Sequence, residues 1–155
     1  MQFLACSLFF CRIKNFKGLA SDIKGEIHAR YCDHLVSLEG LPNEVKGLLS
    51  LSHSVRLESL KNCSQKIGDS FYLAGCSSLK SLEGGPKEVG NDYNVCVCQN
   101  LKTLKGCAEK VDNDFICCSC KNLTSLEYAP MEFPAVANFD VTAALKAASE
   151  DLGYR

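Results

Sequence analysis

The chain has 155 residues with 17 basic and 18 acidic side chains, a formal net charge of −1 and no Trp. So balanced a charge excludes a broadly basic phosphate-binding face, which needs clustered Lys and Arg, and no nucleic-acid partner is expected. No apolar run approaches the ~20 residues that cross a bilayer, so no membrane partner is expected, and 46% hydrophobic residues suit one folded core.

The apolar stretch Phe3–Phe10 resembles a leader at first sight. It lacks a basic region ahead of it and a small-residue cleavage site after it, which argues against secretion. Within and just after it, Cys6, Leu8 and Cys11 reproduce half of a pattern that then recurs along the chain. Stepping by 22 residues from Ile13 gives Leu35, Leu57, Leu79, Leu101 and Leu123. Three residues after each start stand Phe16, Leu38, Leu60, Leu82, Leu104 and Leu126. Ten after stand Ile23, Val45, Ile67, Val89, Val111 and Phe133. Ile27, Leu49, Phe71, Tyr93 and Phe115 follow at fourteen, then Ala29, Leu51, Leu73, Val95 and Cys117 at sixteen, and Cys32, Ser54, Cys76, Cys98 and Cys120 at nineteen. Such a period means one supersecondary unit per coil, each too small to bury its apolar face alone.

Within a unit, the apolar pair at steps fourteen and sixteen alternates with polar neighbours, which predicts a short strand. Successive strands pair in parallel, ~4.8 Å apart. The turns Gly40–Pro42 and Gly84–Pro86 forbid a regular helix on the return arm, so that arm is extended or a tight turn. Two charge columns, Glu39/Lys61/Glu83/Lys105/Glu127 and Glu44/Lys66/Glu88/Lys110/Glu132, alternate in sign from rung to rung and predict a solubilising ladder.

Beyond the repeats, Ala137 and Phe139 match the strand positions once more. Asp140 stands as an N-cap before Val141, Ala144, Leu145, Ala148 and Leu152, whose helical spacing predicts an amphipathic helix over 141–152 ending at Gly153. The expected division is therefore a solenoid over 1–134 and a cap of last strand and helix over 135–155. No polar element covers the first half rung, and its bare apolar edge makes a homo-oligomer through that end an expectation.

The order F-x-L-x-x-C-x-x-L-x-x-L in FYLAGCSSLKSL resembles the cysteine-containing leucine-rich repeat, in which Cys replaces the usual Asn of LxxLxLxxN. CKNLTSLEYAP and LEGGPKEVG are similar to repeat proteins of bacteria and their phages. The resemblance covers residues 3–134. It implies a mainly-β, leucine-rich-repeat-like solenoid, curved, with one parallel sheet on its concave side, of a kind that usually binds proteins. One departure is that the first apolar position precedes the strand by four residues, where the family has three, which keeps a right-handed parallel β-helix as the alternative.

Eleven cysteines follow the repeat rather than a disulfide framework, which predicts reduced thiols and a cytoplasmic location, in the host if the chain is phage-encoded. Cys96, Cys98, Cys117, Cys118 and Cys120 lie on neighbouring rungs. Alternation nevertheless sends Cys96 and Cys118 outward and the others inward, so their thiols do not converge on a metal. Cys96 and Cys118 are adjacent, and a disulfide between them is open as an alternative. His28, His34 and His53 fall at unrelated steps, with no nucleophile set beside them. The expectation is no enzyme, metal or cofactor. The outward side of the sheet is left as the candidate site: Glu26, Leu48, Ser70, Asp92 and Asp114 in one column, His28, Ser50, Tyr72, Asn94 and Ile116 in the next, and Arg30 heading a third. Tyr72 is the candidate anchor, and Asp92 and Asp114 form an acidic rim. The expected function is non-catalytic binding of a protein partner, in its specific form a host-directed inhibitor or adaptor. The contrasting expectation is a self-assembling structural repeat.

Overall fold

The computed structural model describes residues 5–21 and 23–130. Ten short strands follow one another: β1 (Ala5–Ser7), β2 (Glu26–His28), β3 (Glu44–Val45), β4 (Leu49–Ser50), β5 (Lys66–Ile67), β6 (Phe71–Tyr72), β7 (Glu88–Val89), β8 (Tyr93–Asn94), β9 (Lys110–Val111) and β10 (Phe115–Ile116). They form a six-stranded sheet in the order β1-β2-β4-β6-β8-β10 and a four-stranded sheet in the order β3-β5-β7-β9. Every pairing is parallel. The chain is a mainly-β parallel solenoid with a rung spacing of ~22 residues and, among the described residues, no helix. The last strand and helix expected beyond residue 134 lie outside the described residues.

Register follows the repeat. Ile27 faces Leu49, Leu49 faces Phe71, Phe71 faces Tyr93, and Tyr93 faces Phe115. At the first rung Cys6 faces Ile27, one residue short of the period, as the slip before Ile13 requires. The return arm forms a sheet of its own, a layer beyond the single sheet expected from the repeat. Its cause is the column Val45, Ile67, Val89 and Val111, whose β-branched residues are buried while the charged residues before them lie at or near the surface.

The large strands meet the core through Ile27, Leu49, Phe71, Tyr93 and Phe115, and the return arms meet it through the leucines of the first two columns. All of these, from Leu35 to Leu126, are 3% exposed or less. Phe71 and Tyr93 stack at 5.1 Å between ring centroids, and Phe115 meets Tyr93 edge-on at 5.6 Å.

The step-nineteen column has a second task besides filling space. The thiols of Cys76, Cys98 and Cys120 donate to the carbonyls of Leu51, Leu73 and Val95 on the preceding rung, at 3.1, 3.3 and 3.1 Å. Cys32 donates likewise to Leu8, and Ser54 takes the same role with a hydroxyl toward Ala29. A small donor is therefore needed where the chain turns out of the strand and leaves an interior carbonyl behind.

Both corners of every rung use left-handed backbone. One column, Gly18, Gly40, Asn62, Gly84, Gly106 and Tyr128, has φ between 66° and 100°. Each of these residues is third in a turn closed by an i to i+3 hydrogen bond, such as Leu41 N–H to the Leu38 carbonyl at 3.1 Å. A positive φ at that place is the type II arrangement, which favours Gly. The other column, Phe10, Tyr31, His53, Gly75, Val97 and Ser119, has φ between 53° and 74° and is mostly not glycine. Hydroxyls repeat beside the first corner as well: Ser37, Ser59, Ser81, Thr103 and Ser125 each accept the backbone N–H of the residue two further on.

The charge ladder joins Lys17 to Glu39 at 3.1 Å, Lys105 to Glu83 at 2.9 Å and Lys66 to Glu88 at 3.6 Å, all at the exposed surface. In the second column, Glu44 instead pairs with Lys46, just past the end of its own strand, and that hydrogen bond holds its carboxyl below the usual range. Exposed pairs of this kind are screened by solvent and contribute little, so they set rung-to-rung compatibility more than stability.

Candidate functional site: the outer face of the large sheet

Alternation along each strand turns three columns away from the core. Glu26 and Arg30 are exposed, and His28, Leu48, Tyr72, Asp92, Asn94, Asp114 and Ile116 are partly exposed. The middle column is continuous, with His28 opposite Ser50, Ser50 opposite Tyr72, Tyr72 opposite Asn94 and Asn94 opposite Ile116.

Two of the expected contact residues are not accessible. Ser50 is 2% exposed and Ser70 1%. The reason for Ser50 is its register: a short side chain stands between His28 and Tyr72 at strand spacing, and the larger neighbours cover it. Its hydroxyl has no partner among the described residues. Ser70 is occupied instead. Its hydroxyl donates to the Asp69 carboxylate at 3.0 Å and accepts the Asn91 side-chain amide at 3.1 Å and the Asp92 backbone N–H at 3.3 Å.

Asp92 repeats that role one rung on. Its carboxylate accepts the Asn113 side-chain amide at 2.7 Å and the Asp114 N–H at 3.2 Å. The acidic column is thus partly a polar ladder at the bend between the two sheets. Asn94 turns its amide oxygen to the Cys96 N–H at 2.9 Å. His28 and Glu26 meet at 2.8 Å on the first rung. Tyr72 and Ile116 therefore carry the apolar and aromatic contact area of the middle column.

Beside the third column runs an aromatic stack that the strand pattern does not foretell. The rings of Phe10, Tyr31 and His53 lie along the left-handed corner, with centroids 5.0 and 4.6 Å apart and planes within 13° of parallel. His53 lies against Gly75, where a Cβ would run into its ring. Phe9 stacks on His28 at 5.9 Å. Phe10 is 75% exposed and Phe9 47%. A signal for this stack exists in the chain: the three residues share one step of the repeat once the slip before Ile13 is applied.

The cysteines divide by side of the sheet. Cys98 and Cys120 serve the interior ladder, while Cys96 and Cys118, on adjacent rungs of the outward side, form a disulfide with Cα atoms 4.5 Å apart. Burial pushes the thiols of Cys63, Cys76 and Cys117 up to about 12, and those of Cys98 and Cys107 further still. Such thiols stay protonated at neutral pH and are poor nucleophiles and poor metal ligands. Among the described residues, no three His, Cys, Asp or Glu side chains converge to hold a metal.

No family model matches the chain, and no solved structure matches it. The uridine phosphorylase of Treponema pallidum (strain Nichols) is 69% identical over 31 residues, which are 20% of this chain and 12% of that protein. A match of that extent assigns neither a family nor an activity.

Proposed function

We propose that the chain is a non-catalytic protein-binding module whose partner lies along the outer face of the large sheet. The observation that carries this reading is the in-register column His28–Ser50–Tyr72–Asn94–Ile116, continuous over five paired strands and flanked by polar groups. It offers a partly exposed aromatic ring and an isoleucine amid hydrogen-bonding side chains, the composition of a small interface centre and its rim. The resemblance to cysteine-containing leucine-rich repeats agrees with a binding role. In its more specific form, the module is a bacterial or phage-encoded inhibitor or adaptor that acts on a host protein in the cytoplasm. A photocrosslinking residue in place of Tyr72, activated in living cells, tests the reading. Discrete crosslinked species that are missing when the same residue replaces exposed Lys61 support it. Identical patterns from both positions count against it.

A second reading, self-assembly, is favoured by one observation. Ala5, Cys6, Gly18, Leu19, Ala20 and Ile23 line a mainly apolar cavity of about 340 Å³ at the first rung, where β1 pairs only with β2 among the described residues. Sedimentation at increasing concentration distinguishes the two, since end-to-end association makes the sedimentation coefficient rise and a monomeric binder leaves it constant.

A further inference from the structure

We propose that Cys96 and Cys118 form a reversible dithiol–disulfide exchange site on the outer sheet face, open to soluble thiols while the solenoid stays folded. The geometry that points to this is the rung spacing itself. The two residues occupy the same step of adjacent rungs, and parallel pairing alone brings their Cα atoms to 4.5 Å, inside the range a disulfide spans. The strand pairing beside them rests on bonds that do not involve the sulfurs, Val95 N–H to the Ile116 carbonyl and Val97 N–H to the Cys118 carbonyl, both at 2.8 Å, while the Cys118 N–H donates to the Cys96 sulfur at 3.0 Å. Opening the bond therefore leaves the strands paired and the two sulfurs in place to close again.

Accessibility separates this pair from the interior cysteines. Cys118 is partly exposed, whereas Cys32, Cys76, Cys98, Cys117 and Cys120 are fully buried. All of these except Cys117 also donate to backbone carbonyls of the preceding rung. Cys96 is only 6% exposed, so the sulfur that meets an incoming thiolate is that of Cys118.

In the exchange, a thiolate of an external dithiol attacks the Cys118 sulfur, the Cys96–Cys118 bond breaks, and Cys96 leaves as a thiolate that takes a proton from water. The second thiol of the reagent then displaces Cys118 from the mixed disulfide. Two electrons and two protons pass to the protein, and the reagent leaves as its cyclic disulfide. Oxidised glutathione reverses the reaction, ending as two molecules of glutathione. In the reduced state two neighbouring thiols lie beside Asn94 and Ile116, a spacing suited to a soft group that bridges two sulfurs.

The test uses the whole chain, titrated with dithiothreitol at neutral pH, alkylated with iodoacetamide and peptide-mapped. The expected result is new adducts at Cys96 and Cys118 with an unchanged circular dichroism spectrum, and none at Cys32, Cys76, Cys98, Cys117 or Cys120 until urea is added. Oxidised glutathione should restore the bond. Phenylarsine oxide should bind the reduced pair in one equivalent that Cys118→Ser abolishes and Cys107→Ser does not. Reduction only on unfolding, labelling of the interior cysteines at the same rate, or stable glutathione adducts at both positions would overturn the proposal. Because the mapping is done on the unsubstituted chain, it decides the matter even where a Cys118→Ser variant fails to fold.

Discussion

Tyr93 occupies the place that Phe71 and Phe115 hold on the neighbouring rungs, fully buried, with a hydroxyl that has no partner among the described residues. Burial also pushes its phenol well above the ordinary value of 10.0. A buried hydroxyl without a partner costs ~1–3 kcal/mol, and the ring stacks equally well without it. Tyr93→Phe should therefore raise the midpoint of urea unfolding by the equivalent of about 1 kcal/mol, and a lower midpoint would mean that the oxygen is bonded. Val97 poses the opposite problem. It is β-branched, 43% exposed, and held at a φ of 61°, a region such residues rarely adopt. Its side chain buries little, so relief of backbone strain should outweigh its loss. Val97→Gly is expected to stabilise the chain by about 1 kcal/mol in thermal melts, whereas the same change at buried Val95 should destabilise it strongly.

At the scale of the element, the interior thiols make the rungs sensitive to alkali. Cys63, Cys76 and Cys117 rise from an ordinary 9.0 to about 12 because burial penalises the thiolate. Their protonated form is favoured in the folded chain, so the stability they contribute is complete below pH 9.0 and is lost toward about 12. Across that window each group removes stability as pH rises, because the unfolded chain ionises first. Urea midpoints should fall steeply above that lower limit, and Cys76→Ala should flatten the fall, which a pH-independent difference between the two chains would contradict. The strands and this cysteine column were legible from the step of 22 residues, because parallel stacking places the same residue type in the same environment on every rung. The second sheet was less so. Pairs as short as Glu88–Val89 show no alternation to read, and a single β-branched column is shared by turns and strands. The non-glycine corner at Phe10, Tyr31, His53 and Val97 was hidden because these residues announce nothing about φ, unlike the glycines at Gly40 and Gly84.

The molecule as a whole is a stack in which each rung caps the one before it, so identity of position stands in for a conventional core. That explains why alternation gave no warning that Ser50 and Ser70 are buried. Ser50 and Ser70 point away from the core, yet the neighbours that cover them come from other rungs or from the bend between the sheets. Alternation tells direction, and only the packed stack tells depth. The proposed partner surface is centred on Tyr72, Asn94 and Ile116, which are partly exposed, with Glu26, His28 and Arg30 toward the first rung. The most direct measurement is quantitative affinity capture from a native lysate, run in parallel with the unsubstituted chain and with a Tyr72→Ala/Ile116→Asp variant of matched stability. If the outer face binds, one set of proteins is retained near stoichiometry by the first and lost from the second. Equal retention by both chains, or none by either at any salt concentration, would contradict a binding role for that face.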